Sequence, residues 1–218
     1  MKTSSARWPA IALALLCLAA AAGCRSTYYA AYEKFGVHKR DLLKKRVVAA
    51  RDEQQAASVE FKDALTRLKE LTKFDGGKLE ARYRQLQGDY DDCAKRVEAV
   101  RSRIRDVESV AEDLFTEWEK EIKQIGTDSL RANSRRQLAD TRIRYDEMIA
   151  ALKKAEATMP PVLAKFHDYV LALKHTLNAA AISSLQGESA VIQADITRLI
   201  GDMTNSIARA DEFLKGLN

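Results

Sequence analysis

Few residues in this chain can staple it or turn it: 3 cysteines, 3 prolines and 9 glycines serve 218 positions. A disulfide framework needs more cysteine, and a sheet protein with many tight turns needs more glycine and proline. Aromatic residues are scarce at 7% while charged residues reach 31%, a balance that suits long helices with a narrow core better than a globular enzyme. Strand-like alternation is absent throughout. No GxxxxGK[ST] loop or Gly-x-Ser-x-Gly elbow occurs, and Lys73-Phe74-Asp75-Gly76-Gly77-Lys78 has the wrong spacing for a nucleotide loop. His38, His167 and His175 share no helical face with matching carboxylates, so convergent metal ligands are not expected.

What the chain does have is a helical repeat. From Leu43 to Ile125 apolar residues recur at spacings of four and three, interrupted once at Asp75-Gly76-Gly77. That is the period of a coiled coil folded back on itself. The first arm reads Leu43, Val47, Ala50, Gln54, Ala57, Phe61, Ala64, Leu68 and Leu71. An antiparallel register pairs Leu71 with Tyr83, Leu68 with Leu86, Ala64 with Tyr90 and Phe61 with Cys93. It continues as Ala57 with Val97, Gln54 with Val100, Ala50 with Ile104, Val47 with Val107 and Leu43 with Ala111. Every layer centres on Gly77, and small residues oppose large ones in most layers, as close packing requires.

Beyond the midpoint of the second arm, Val110, Phe115 and Ile122 widen the apolar stripe, so a third helix is expected there while the tip stays two-stranded and wet. Gly126-Thr127-Asp128 ends the arm and offers a cap for the next helix. That third helix carries Leu138, Thr141, Tyr145, Met148, Leu152, Ala155, Met159, Val162, Phe166, Tyr169 and Leu173. Its frame keeps phase through Pro160-Pro161, which predicts one kinked helix. A turn falls between Asn178 and Gly187, and a last helix carries Ile192, Ile196, Leu199, Met203, Ile207, Ala210 and Leu214. The expected fold is all-α: elongated antiparallel coiled-coil hairpins forming a bundle of about four helices, near 27–73, 78–125, 128–178 and 188–216.

Residues 1–23 read as a leader. Lys2 and Arg7 precede the apolar run Ile11 to Ala22, which is too short to span a bilayer comfortably, and Ala21-Ala22-Gly23-Cys24 follows. The pattern resembles a lipoprotein signal in which Cys24 becomes the acylated first residue. Arg25 rather than an aspartate follows it, which in such proteins points to the outer membrane, facing the periplasm. An ordinary secretory signal or an uncleaved anchor are the alternatives. Removal of the leader takes away two positive charges and no acid, lowering the formal net charge from +5 to +3. Cys17 leaves with it, and Cys93 then remains as a lone thiol in a core position. Tyr32 and Phe35 are expected to pack on Trp118 and Ile122. The basic runs Lys95 to Arg105 and Arg131 to Arg144 alternate with heptad positions and neighbouring acids, as on a charged bundle surface.

Four stretches carry a family resemblance: Phe35 to Asp41, Leu114 to Glu119, Arg136 to Arg142 and Leu173 to Ala179. They resemble a family of uncharacterised bacterial coiled-coil proteins, many of them similar to lipoproteins and some named as DNA-repair ATPases. The resemblance covers essentially the whole mature chain, 24–218, and implies no catalytic residues. The functional expectation is a non-enzymatic, lipid-anchored spacer, scaffold or adaptor without cofactor, metal, nucleic acid or small-molecule substrate. Its envelope partner protein would be met at the hairpin tip by Lys73, Phe74, Asp75 and Lys78. The alternative is an intracellular nucleic-acid-associated coiled coil whose leader has been misread.

Overall fold

Sustained heptads leave a chain little choice but to fold as paired helices, because each apolar stripe has to be covered. In a computed structural model, residues 39–71, 79–175 and 185–217 are described. They form helices α1 (Lys39–Leu71), α2 (Leu79–Gln124), α3 (Asp128–His175) and α4 (Gln186–Lys215). The chain divides into two units, Met1–Leu42 and Leu43–Asn218. Only the opening turn of α1 is described in the first; the second builds the bundle.

Charged pairs fix how the helices lie. Between α1 and α2, Arg46 meets Asp106 at 3.3 Å, one residue away from the expected layer of Val47 and Val107. Arg96 reaches both Glu53 (3.0 Å) and Glu60 (3.6 Å), and so straddles the expected layer of Ala57 and Val97. Arg67 with Asp89, and Arg82 with Glu70 at 3.6 Å, continue the same antiparallel order. Arg101–Glu156, Lys153–Glu108 and Arg142–Glu119 tie α2 to α3 at 2.7 to 2.8 Å. Lys154–Asp202 and Lys165–Asp195 tie α3 to α4. The ring closes where Arg51 of α1 meets Asp211 of α4 at 2.7 Å. The result is an antiparallel four-helix bundle in which each helix borders its sequence neighbours and α4 returns to α1.

All nine heptad positions of α1 from Leu43 to Leu71 are buried, as are all eleven expected positions of α3. Burial of one such large apolar side chain is worth about 1.5–3 kcal/mol, so the summed stripe outweighs local defects. That is how α3 runs unbroken through Pro160 and Pro161. These residues have no N–H for the carbonyls one turn earlier, at a cost of about 3 kcal/mol or more. Met159 and Val162 are nonetheless both buried there, and Thr158 Oγ1 donates to the Ala155 carbonyl at 2.8 Å. At the α2–α3 turn, the Arg131 side chain donates to the carbonyls of Ile125 (2.8 Å) and Gly126 (3.2 Å), placing a cation at the C-terminus of α2.

Two expectations need correction. The α1–α2 hairpin is not left two-stranded towards its tip, because α3 and α4 accompany it. Tyr90 packs edge-on against Phe166 with ring centroids 6.1 Å apart, and Phe166, Tyr169 and Leu173 are all buried. The cause is the unbroken frame of α3, whose last turns carry as full an apolar stripe as its middle. The opposite end of the described bundle is packed by aromatic rings. There Phe213, near the end of α4, packs on Tyr145 (6.2 Å), and Tyr145 on Phe115 (5.3 Å); Leu130 and Ile143 of α3 are exposed. In α4, Ile207 is only half-buried while Ser206 takes the core position.

Candidate functional site

Ser206 faces Gln54, and both side chains are fully buried. Gln54 Nε2 donates to the Leu152 carbonyl at 3.1 Å, and the Ser206 hydroxyl lies against Gln54 Oε1 and the Met203 carbonyl. One polar layer thus joins α1, α3 and α4. A buried amide loses most when a partner is missing, so this layer favours the single register in which all three elements meet. Isoleucine at 207 displays the greater hydrophobicity, but Leu199, Met203, Ala210 and Phe213 set the buried face, on which position 206 falls and is satisfied by its hydrogen bond.

Cys93 is also fully buried. Desolvation first, and the charges of Glu60, Asp89 and Asp92 second, push its thiol far above the usual range, so it carries no accessible thiolate. Burial likewise pushes Asp89 up, opposed by Arg67 and reinforced by Asp63, Asp92 and Glu60. His167 rests against the ring of Tyr90, centroids 5.0 Å apart, as a packing group. Among the described residues, no group of three or more His, Cys, Asp or Glu is arranged to hold a metal ion, and no helix is long and apolar enough to cross a membrane.

Cys24 and the tip residues Lys73, Phe74, Asp75 and Lys78 lie outside the described residues, as do Tyr32, Phe35 and His38. Leu71 and Leu79, which flank the tip, are both buried. Because the helices alternate in direction, α3 ends and α4 begins at this same end of the bundle. Here a groove of about 300 Å³ opens between α3 and α4. Tyr169, Ala172, Leu185, Val191 and Ile192 provide its apolar lining. A second hollow of about 200 Å³ continues along the same seam past Pro161, with Lys165 shared by both.

The charges on the rim are unequal. Lys165, the cation of the first hollow, is held by Asp195 at 2.5 Å. Glu188 makes no ion pair among the described residues, and the charged neighbour of Asp168 is His167, whose Nδ1 is 4.0 Å away. The groove therefore presents apolar surface beside two carboxylates, Asp168 and Glu188, that pair with no lysine or arginine among the described residues. Heptad reading passed over it because Val191 stands outside the core frame. Its exposure, 48%, is the signal: an apolar residue off the frame, near a helix end.

Fold and interior define the class, an all-α antiparallel four-helix bundle with a side-chain-filled core. Residues 28–217 match the family model described as "Protein of unknown function (DUF2959)", and the chain belongs to that family. No match to the chain is found among curated proteins.

Proposed function

We propose that this chain is a non-enzymatic, lipid-anchored envelope protein. Cys24 holds it at the outer membrane, facing the periplasm, and the helical bundle serves as a spacer or adaptor towards an envelope partner protein. The observation that carries this reading is the order Lys2 and Arg7, Ile11 to Ala22, then Ala21-Ala22-Gly23-Cys24, which is the pattern of a cleaved and acylated leader. The bundle supports it. Its interior is occupied by packed side chains, and many of its acids and bases brace one helix against the next. In this reading the turn residues Lys73, Phe74, Asp75 and Lys78 contact the partner, and no cofactor, nucleic acid or small-molecule substrate is required.

The test is fractionation of membranes from cells carrying the native chain or Cys24→Ala, with intact mass of the mature protein. The reading expects an acylated N-terminus at Cys24 in the outer-membrane fraction, lost in the variant. Unprocessed protein in the cytoplasm would overturn it and bring forward salt-sensitive DNA binding, the behaviour of the intracellular alternative.

A further inference from the structure

The chain as a whole is basic, with a formal net charge of +5, yet its α3–α4 groove is rimmed by acids. Asp168 and Glu188 stand over the apolar lining, and the one lysine beside them is engaged with Asp195. Val191, nearly half exposed, offers apolar surface to an incoming side chain, over a floor formed by the buried Tyr169 and Ile192. General electrostatic attraction would draw anionic partners to this protein; a local site of the opposite sign selects against them. We propose that the groove formed by Tyr169, Ala172, Leu185, Glu188, Val191 and Asp168 docks a cationic amphipathic segment of a partner protein. The segment seats an apolar anchor side chain in the hollow and places lysine or arginine beside the two carboxylates. This deepens the adaptor reading, on which it rests for the setting in which the partner is met. It adds to the contact at the turn residues a second one, on the flank of the same bundle end.

The probe is a fluorescent amphipathic peptide of about 14 residues, leucine on one face and lysine on the other, titrated against the purified full chain. Its glutamate–leucine counterpart and a lysine–serine peptide serve as comparisons. The lysine–leucine peptide is expected to bind, with both comparison peptides at least about fivefold weaker. Val191→Ser, on an exposed position and with an unchanged circular dichroism spectrum, is expected to weaken binding about fivefold. Asp168→Asn with Glu188→Gln is expected to weaken it by about threefold to tenfold and to flatten its salt dependence. Equal binding of the glutamate peptide, or indifference to all three substitutions, would overturn the proposal. Self-association of the chain that disappears with Val191→Ser would also overturn it, making a second copy the occupant. Because peptide binding is read on the purified chain, it does not depend on acylation of Cys24. A cytoplasmic location refutes the anchor alone, and a silent groove refutes the docking site alone.

Discussion

The two hairpins of this bundle share one heptad frame and close their seams differently. Along α1–α2, arginines do the closing: Arg46, Arg67, Arg82 and Arg96 each reach an acid on the opposite helix. Along α3–α4 the cross-seam ion pairs among the described residues are made by lysines, Lys154 and Lys165. Both lay their stems along apolar surface, but an arginine ends in a broad planar head with five donors and a lysine in a compact ammonium that covers less. The two grooves described lie along the lysine seam, which also carries two prolines and, among the described residues, ends in carboxylates without a lysine or arginine partner. Core layers hold the fold in both hairpins; what covers the layers decides where the surface can receive something.

The largest effect expected from breaking this symmetry is in the core. Phe61→Ala, which empties a fully buried position of α1, is expected to cost about 3–5 kcal/mol in urea-monitored unfolding; a loss below about 1 kcal/mol would mean that the α1–α2 seam is not packed as described. Next comes the polar layer. Gln54→Ala is expected to cost about 1–3 kcal/mol, because it strips the Ser206 hydroxyl of a buried partner. Gln54→Leu combined with Ser206→Ala is expected to recover most of that loss, and a double-mutant cycle reads the coupling directly.

A smaller effect concerns Asp89. Its carboxyl is held above the ordinary 3.8 by burial, so the native state takes up a proton more readily than the unfolded chain. The native chain should therefore gain stability relative to Asp89→Asn as pH falls through the raised value, with the gain complete below about 3.8. A difference between the two proteins that stays constant from neutral pH downward would contradict the burial of this group. The smallest effect sharpens the comparison of seams. Lys165→Arg is expected to leave stability within about 0.5 kcal/mol while weakening binding of the lysine–leucine peptide, because the longer head covers the groove. Unchanged peptide affinity would separate groove closure from the identity of the cation.

The fold was legible wherever period alone decides. Gly76-Gly77 and the flanking heptads define the α1–α2 register before any contact is known, and Arg46–Asp106 and Arg96–Glu53 fall where that register puts them. Period is silent about which helix covers which stripe. That is why the tip was expected to be two-stranded although Phe166, Tyr169 and Leu173 continue the stripe of α3 to that end. Hydrophobicity also misplaced one position of α4, where the stripe of Met203, Ala210 and Phe213 turns Ser206 inward to meet Gln54 and leaves Ile207 half-buried. The groove was not legible, since it depends on two charges whose partners only the packing reveals: Lys165, taken up by Asp195, and Glu188, which pairs with no described residue.

The central structural claim is that four helices of one chain close a ring, with α4 returning to α1. The direct test places cysteines at its closing contact, Arg51→Cys and Asp211→Cys, in a chain whose Cys17, Cys24 and Cys93 are replaced, and treats it with a short flexible bis-maleimide at low protein concentration. A cross-linked product with the mass of one chain, formed at a rate independent of concentration, is the predicted result. Cross-linked dimers whose yield rises with concentration would mean that the helices pair between chains, and would contradict the account.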